Sequence, residues 1–292
     1  MERTTAYFKY ILALLLFGSN GIVASHIALT SYEIVWLRTL IGSLLLIVLF
    51  LLGKGRFTFM QKKIDFLFLA ISGAAMGISW MFLYEACRQI GVSLSSLLYY
   101  CGPVIVMVLS PIIFQEKLTA SKITGFLSVL VGVVLVNGRI AESGESRWGL
   151  FCGAMSAVMY AFMVICNKTA SKITGMENPT LQLTISFLTV AVIVGVRQGI
   201  TLAIAAENWP WILFLGLVNT GIGCYFYFSS IGALPVQTVA ICGYLEPLSA
   251  VLFAVLLLNE SMALPQILGA ALIIGGALLD SLLSIVHVHS NK

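Results

Sequence analysis

The second half of this chain repeats the first half at a constant offset of 144 residues. Pro103 aligns with Pro247 and Glu116 aligns with Glu260, and no gap is needed between these pairs. Both residue types are scarce here, so these matches carry more weight than the many apolar matches around them. A repeat of fixed period indicates a molecule assembled from two related units, an arrangement that in membranes is typical of transporters.

The composition indicates that lipid, rather than water, surrounds most of the chain. Of its 292 residues 60% are apolar and 10% are charged, whereas soluble domains carry about 25% charged residues. A soluble fold of this length would need more polar residues to cover its surface. The net charge of +4 is spread over short loops rather than gathered into a stripe, which argues against a nucleic-acid partner.

Ten apolar stretches are long enough to cross a bilayer, which requires about 20 residues in a helix. The predicted spans are 7–28, 32–52, 65–86, 92–114, 119–137, 148–167, 179–198, 209–230, 235–258 and 263–284. The alternating segments of roughly ten residues that would indicate a membrane barrel are absent from the sequence. No clear cleavage site follows the first stretch, so it is predicted to be retained as a helix rather than removed as a signal peptide.

The basic residues predict how these spans are oriented. With the N-terminus in the cytoplasm, eleven Lys and Arg residues fall on the cytoplasmic side and four fall outside. Such an excess marks the cytoplasmic side, so both termini are predicted to be cytoplasmic in a cell (inner or plasma) membrane. Each half holds five spans, so the two halves enter the membrane from opposite sides. The predicted fold is an all-α integral membrane protein of ten transmembrane helices, built as two inverted five-helix repeats at 1–140 and 147–286.

Several short motifs occur along the two halves in a consistent order. The motifs are FGSN (17–20), WLRTLIG (36–42), YCGPVIVMVLSPIIFQEKLT (100–119), MYAFMVICNK (159–168), YLEPLSAVLFAVLLLNES (244–261) and GAALIIGG (269–276). With them the chain resembles the drug/metabolite transporter superfamily, specifically its EamA-type members, over nearly its whole length. The resemblance implies ten helices in two repeats, and a secondary transporter that moves small metabolites, commonly amino acids or related compounds and often outward.

The chain departs from that family pattern in its first span. Phe17 stands where the family often has Trp, and Ser25 and His26 replace the basic residue that usually closes the span, whereas Lys168 keeps it in the sixth span. These departures leave the expected fold intact but could alter the preference for ligand.

Two charged residues inside predicted spans are candidates for substrate binding, because a charge in the membrane is costly and by default marks a function. Arg38 could bind a substrate carboxylate with two hydrogen bonds, or its side chain could extend to the lipid headgroups. Glu246 could bind a substrate amine or exchange a proton in each cycle, or it could form a structural bond to Lys168 or Arg38.

Aromatic and amide side chains supply the other candidates for a cavity, which by the resemblance is lined by spans 1, 3, 4, 6, 8 and 9. The predicted substrate-binding residues are Asn20, Arg38, Trp80, Tyr84, Tyr100, Tyr160, Tyr225, Tyr244 and Glu246. Asn219 is a further amide within an apolar span and could meet a ligand or a neighbouring helix. Aromatic residues also form belts at the membrane surface, which is the role predicted for Trp209 and Trp211.

Prolines and glycines predict where helices bend and where they approach closely. Pro103 and Pro247 each remove a backbone hydrogen bond and kink their spans, which predicts either a gating or hinge role or a packing kink alone. Paired glycines on one helix face allow close packing, between the two halves or between protomers of a homodimer. These pairs are Gly73 and Gly77, Gly125 and Gly132, and Gly269 and Gly276.

Other classes of function fit the sequence less well. A membrane transferase needs clustered Asp or His for metal and diphosphate, but Asp65 and Asp280 stand at opposite ends of the chain. An ATP-driven pump needs a P-loop, which the sequence lacks. We therefore predict no enzymatic activity, no cofactor and no metal, and the six cysteines are predicted to be small buried apolar side chains.

The predicted partners are a small-molecule substrate, membrane lipid and, through coupling, protons. A channel, a membrane partner protein without carrier activity, and an uptake carrier for a small amine are the alternatives that the sequence leaves open.

Overall fold

The computed structural model describes most of the chain, namely residues 2–99, 101–115, 120–137, 146–197 and 204–246, together with isolated positions as far as 275. Six residues singled out above lie outside the described residues: Tyr100, Glu116, Pro247, Glu260, Gly276 and Asp280.

Every regular element within the described ranges is helical. The α-helices are α1 (Glu2–Gly18), α2 (Asn20–Ser25), α3 (Ser31–Leu52), α4 (Lys63–Tyr99), α5 (Gly102–Ile113), α6 (Ala120–Asn137), α7 (Arg147–Thr169), α8 (Glu177–Arg197), α9 (Trp209–Leu213), α10 (Gly223–Ile231) and α11 (Val236–Cys242). A π-helical segment, Phe214–Ile222, joins α9 to α10, and short 3-10 turns occur at Phe59–Gln61 and Ala206–Asn208.

Six helical runs in the described part of the chain are long and apolar enough to cross a membrane. These runs are Thr4–Ala24, Ser31–Leu52, Lys63–Cys87, Arg147–Thr169, Glu177–Arg197 and Ala206–Ile231. They coincide with predicted spans 1, 2, 3, 6, 7 and 8, so the all-helical, multi-pass membrane class is confirmed. The other four predicted spans fall on shorter helices or largely on residues that are not described.

One predicted connection is helical instead. Residues 87–91 were expected to link spans 3 and 4, but they lie inside α4, which continues to Tyr99. This stretch holds no proline and a single glycine, so its backbone has little reason to leave the helix. The break comes later, immediately before α5, whose first turn contains Pro103. Proline is tolerated there because the first turn needs no intrahelical N–H donor.

Local caps explain where α3 begins. Thr30 precedes the helix in an extended conformation, and its Oγ1 accepts a hydrogen bond from the backbone N–H of Glu33. The Glu33 carboxylate in turn accepts from the backbone N–H of Thr30 at 2.8 Å. This reciprocal capping box satisfies donors that the first helical turn would otherwise leave unpaired, so it fixes the start of the helix that carries Arg38.

Glycines bring α4 and α8 close together. A Cβ atom added to Gly73 would lie 2.8 Å from the backbone O of Gln182, and one added to Gly77 would lie 2.9 Å from the backbone O of Ser186. The predicted small-residue face therefore packs within the chain, between helices of the first and second halves. Because backbone atoms form the contact, they have little freedom to move aside.

Replacing Gly77 with Ala is expected to destabilise the protein by about 1–3 kcal/mol, because the added methyl group forces α4 away from α8. The measurement is the midpoint of thermal unfolding in detergent, followed by size-exclusion chromatography. The matched control is Gly195→Ala on α8, where an added Cβ meets nothing within 4 Å. If both variants unfold at the wild-type temperature, the close contact does not hold the halves together.

The connections divide between two ends of the helical bundle. We call one the lysine-rich end, because it holds Lys54, Lys62, Lys63, Lys168 and Lys172. There the carboxylate of Glu177 accepts hydrogen bonds from the backbone N–H of Thr58 at 2.6 Å and of Phe59 at 2.9 Å. At the opposite end, the backbone N–H of Ala28 donates to Asn208 Oδ1 at 3.2 Å. Connections from different halves of the chain thus meet at each end.

Candidate functional site

A central cavity lies among helices from both halves of the chain. Its described lining residues are Phe17, Asn20, Met76, Ser79, Trp80, Tyr99, Tyr160, Met163, Cys224, Tyr227, Phe228 and Glu246. These residues come from predicted spans 1, 3, 4, 6, 8 and 9. The centre of a water molecule can occupy about 40 Å³ of the cavity, which is room for roughly three waters. A larger ligand requires side chains or helices around the cavity to move.

Glu246 supplies the carboxylate among the described lining residues of this cavity. It is half-buried and follows α11, and its backbone N–H donates to the backbone O of Gly243 at 3.1 Å. Ser249 Oγ donates to the backbone O of Glu246 at 2.8 Å. Both bonds hold the main chain of Glu246, whose side chain contributes to the cavity wall. The structure thus combines one acidic group with mainly aromatic walls.

Arg38 is buried inside the bundle and does not extend to the membrane surface. It is only 3% exposed, its Nε donates to Thr220 Oγ1 at 2.9 Å, and its Nη1 donates to Tyr84 Oη at 3.3 Å. Its guanidinium carbon lies 4.5 Å from the ring centroid of Trp80, a cation–π contact. Since Trp80 lines the cavity, Arg38 occupies the layer behind the cavity wall.

One nitrogen of this guanidinium has no hydrogen-bond partner among the described residues. The atom is Nη2 of Arg38, and it is buried. A buried donor that lacks an acceptor costs about 1–3 kcal/mol, and more when it is charged. Such orphaned groups in a native fold call for an explanation, and a ligand acceptor that arrives during function is a chemically suitable one.

The π-helical segment connects Arg38 to a break in the first span. Thr220, which accepts from Arg38, donates its own hydroxyl hydrogen to the backbone O of Leu215 at 2.7 Å. Its neighbour Asn219 has its Nδ2 2.9 Å from Ser19 Oγ and 3.0 Å from the backbone O of Leu16. Ser19 lies between α1, which ends at Gly18, and α2, which begins at Asn20. π-Helical insertions and interrupted spans often occur at functional sites.

Tyrosine rings form much of the cavity wall. Tyr160 Oη lies 3.3 Å from Tyr227 Oη, and the ring centroids of Tyr99 and Tyr160 are 5.4 Å apart. The ring of Tyr10 packs 5.3 Å from that of Tyr227 and donates its hydroxyl hydrogen to the backbone O of Val239. The sequence does not single out Tyr10, because aromatic residues are frequent in this chain. Tyr99 is one of several aromatic residues that the sequence places at plausible cavity positions, although it is not among the predicted substrate-binding residues.

The structure places the predicted substrate-binding residues in three groups. Asn20, Trp80, Tyr160 and Glu246 line the cavity, and Arg38 and Tyr84 lie beside Trp80. Tyr244 is fully buried in the core, and Tyr225 packs against Phe226 and under the Lys9 ammonium. All these substrate-binding roles stay predictions. Tyr227, which is not among the predicted substrate-binding residues, lines the cavity instead of Tyr225, because two successive steps along a helix rotate the side chain by about 200°.

The proline prediction takes a different form in the structure. Pro103 does not kink the interior of a helix but lies in the first turn of α5, next to the interruption that follows α4. A Cβ atom added to the preceding Gly102 would lie 2.7 Å from Tyr160 Cδ1, so glycine lets this turn approach the cavity wall. Gly102 is the repeat counterpart of Glu246. The second half therefore places a carboxylate at a position where the first half has an uncharged glycine. Pro111, for which the sequence predicts no role, lies inside α5.

No group of three or more potential metal ligands occurs among the described residues. The ionic chemistry of the described site rests on Arg38 and Glu246.

Comparison with known proteins gives a consistent result along the whole chain. The model of the EamA-like transporter family matches residues 4–138 and again residues 147–282. The chain is 24% identical over 278 residues to a protein of Bacillus subtilis (strain 168) named "Uncharacterized transporter YxxF", covering 94% of this chain and 89% of that protein. It is 24% identical over 282 residues to a Salmonella typhimurium protein named "Uncharacterized inner membrane transporter YicL", covering 93% of each.

A solved crystal structure shares the fold. It matches 97% of this chain and 100% of its own chain with a TM-score of 0.82, at 18% sequence identity.

Proposed function

The chain belongs to the EamA-like transporter family and is a membrane transporter rather than an enzyme, and we propose that it exports small metabolites, such as amino acids or related compounds, by alternating access. The observation that carries this proposal is a buried arginine and a cavity carboxylate on either side of an aromatic wall. Membership of the family implies binding of a small-molecule substrate and contact with lipid. The outward direction is inferred from the sequence resemblance.

The proposed architecture consists of two inverted five-helix repeats at 1–140 and 147–286, with ten spans in total. Contacts that occur in equivalent pairs support it. Helix α1 of the first half packs against α10, and α7 of the second half packs against α4, so each first span contacts the third span of the other half. Ser128 Oγ donates to the backbone O of Leu272 at 3.2 Å. These residues occupy equivalent positions in the repeat, as expected near a two-fold axis.

The proposed location is the inner or plasma membrane, with both termini and the lysine-rich end in the cytoplasm. An excess of Lys and Arg on one side of a bundle favours that side as cytoplasmic. The paired loops at this end support the assignment, because 53–62 and 170–176 share it as alternating spans require.

The proposed substrate is amphoteric, with a carboxylate and an amine separated by a short apolar or aromatic part. Nη2 of Arg38 is an unused donor for the carboxylate, and charge-assisted bonds of this kind are among the strong ones. Glu246 lies in the cavity to receive the amine, and the rings of Tyr160 and Tyr227 can contact the apolar part. In the present conformation Trp80 stands between Arg38 and the cavity, so the proposal requires this ring to move when substrate binds.

Exchange in proteoliposomes tests this function directly. Vesicles preloaded with a panel of amino acids and small amines should show saturable counterflow of one class of compound. In Glu246→Gln the counterflow is expected to fall by about tenfold or more, because the amine loses its charged partner. A pH gradient should accelerate wild-type flux and leave the flux of Glu246→Gln unchanged, since the variant has no carboxyl group to carry the proton.

The control variant is Glu207→Gln, which alters an exposed carboxylate in a connection at the opposite end. It should transport like the wild type. Absence of saturable flux from folded protein for every compound would favour a partner protein or an untested ligand. Unchanged transport and unchanged pH dependence in Glu246→Gln would remove Glu246 from the mechanism.

A further inference from the structure

A second cavity lies at the lysine-rich end, and we call it the vestibule. Its described lining residues are Asn167, Lys168, Ala170, Ser171, Ile173, Thr174, Gly175, Asn178, Phe228, Ser229, Gly232 and Ala233. The centre of a water molecule can occupy about 350 Å³ of it, far more than in the central cavity. Lys168 and several amide and hydroxyl side chains contribute polar groups to its wall, alongside apolar residues that include Ile173 and Phe228.

Phe228 is the residue that the described walls of the vestibule and the central cavity have in common. It lies on α10, one helical turn after Cys224, and its side chain is only 4% exposed. Its ring packs against the ring of Tyr227 with centroids 5.0 Å apart. A single aromatic side chain thus has the central cavity on one side and the vestibule on the other.

Toward the opposite end of the bundle, the central cavity shares no wall with a neighbouring cavity in the described part of the chain. A third cavity near that end is lined by residues that include Tyr32, Glu85 and Arg197, and it shares no described lining residue with the central cavity. Between them lies the layer formed by Trp80, Arg38 and its hydrogen-bonded partners. The conformation is therefore closer to opening at the lysine-rich end than at the opposite end.

We propose that Phe228 is the gate between the vestibule and the central cavity, and that the vestibule is the route by which a polar metabolite reaches the substrate site. Lys168 holds the backbone next to Phe228 in place, so the phenyl ring can move while the helix end does not. Its ammonium donates to the backbone O atoms of Ile231 at 3.0 Å and Gly232 at 3.2 Å, and also to that of Leu234. These bonds hold the C-terminal end of α10 beside the vestibule, so rotation of the Phe228 side chain can open the passage without moving that end.

This proposal deepens the transporter function proposed above, but its test does not depend on observing transport. Cys224 lines the central cavity and is fully buried, so it reports on access through the gate. A negatively charged, membrane-impermeant methanethiosulfonate is applied to inside-out or right-side-out membrane vesicles. Its reaction is quantified by mass spectrometry of the peptide that contains Cys224.

Phe228→Ala is expected to accelerate labelling of Cys224 by about tenfold from the lysine-rich side only, a change of about 1.4 kcal/mol in the free energy of opening. Phe228→Leu, a smaller change that guards against unfolding, should give an intermediate rate. The matched control is Phe226→Ala, on the same helix but outside both walls, which should label like the wild type. Equal rates in Phe228→Ala, Phe228→Leu and wild type would overturn the gate.

A second reporter separates the route from the gate. Ser229→Cys places a thiol in the vestibule wall, and this thiol should react rapidly while Phe228 is intact. The vesicle orientation in which it reacts also identifies the side to which the lysine-rich end is exposed. Failure of this thiol to react from either side would overturn the vestibule as an open route. If Cys224 is labelled as expected but no amphoteric compound is exchanged in proteoliposomes, the proposed substrate is wrong and the gate stands.

Discussion

Replacing Arg38 with Gln is expected to reduce exchange of an amphoteric substrate by about 100-fold, because a substrate carboxylate would lose its charged donor in a buried setting. The guanidinium is 3% exposed and retains one unpaired nitrogen, Nη2. Its other nitrogens are held by Thr220 and Tyr84, so the unpaired one is fixed in direction. Glutamine occupies part of the same volume and can still bond to Thr220, but it carries no charge.

The measurement combines counterflow with substrate binding by calorimetry in detergent. Arg38→Lys separates charge from geometry, since an ammonium lacks the planar fork of the guanidinium. We expect weaker binding in this variant with some flux retained. Arg56→Ala is the control, because Arg56 is exposed in a connection at the lysine-rich end, and it should behave like the wild type. Wild-type affinity and flux in folded Arg38→Gln would show that this arginine is structural.

The sequence was sufficient to predict the helical membrane class, because composition and span length follow directly from the energetics of lipid. It also made Arg38 and Glu246 candidates for substrate binding, since charges stand out in apolar segments. The structure adds the relation between them: Arg38 is behind Trp80, and Glu246 is in the cavity. That relation depends on contacts between helices far apart in sequence, which no local pattern contains.

Two features of the helices could not be predicted from local preference. Residues 87–91 were expected to form a connection because an arginine and a glutamine interrupt the apolar run, yet α4 continues through them. The π-helical segment at Phe214–Ile222 has no sequence signature of its own. It is stabilised by tertiary partners, among them the bonds from Asn219 to Ser19 and Leu16, and these become visible only when the first and eighth spans are brought together.

Removing the amide of Asn219 is expected to have the second large effect. Its Nδ2 lies within 3.0 Å of the backbone O of Leu16, Ser19 Oγ and Asn20 Oδ1. In Asn219→Leu this donor is lost at the break between α1 and α2, although Ser19 Oγ still donates to the backbone O of Leu16 at 2.7 Å. We expect a loss of about 1–3 kcal/mol in stability, which is the usual cost of leaving one buried polar group without its partner.

Asn219→Asp distinguishes hydrogen bonding from packing. Aspartate has nearly the same shape as asparagine, but it places a charged acceptor where Nδ2 donated, facing the backbone O of Leu16 and Asn20 Oδ1. It should therefore be less stable than Asn219→Leu, although it fits the space better. Gln61→Ala, which removes an exposed amide at the lysine-rich end, is the control and should unfold at the wild-type temperature.

The same variants test whether the broken first span takes part in transport. Asn20 lines the cavity directly after the break, and Asn219 holds it in place from the π-helical segment that also carries Thr220, the partner of Arg38. A shift of this segment thus acts on Arg38 and Asn20 together. We expect Asn219→Leu, measured below its unfolding temperature, to lose about tenfold or more of its counterflow. Normal flux in a destabilised but folded variant would show that Asn219 contributes to stability alone. Any coupling between Arg38 and Asn20 would then have to pass through the side chains of the cavity wall.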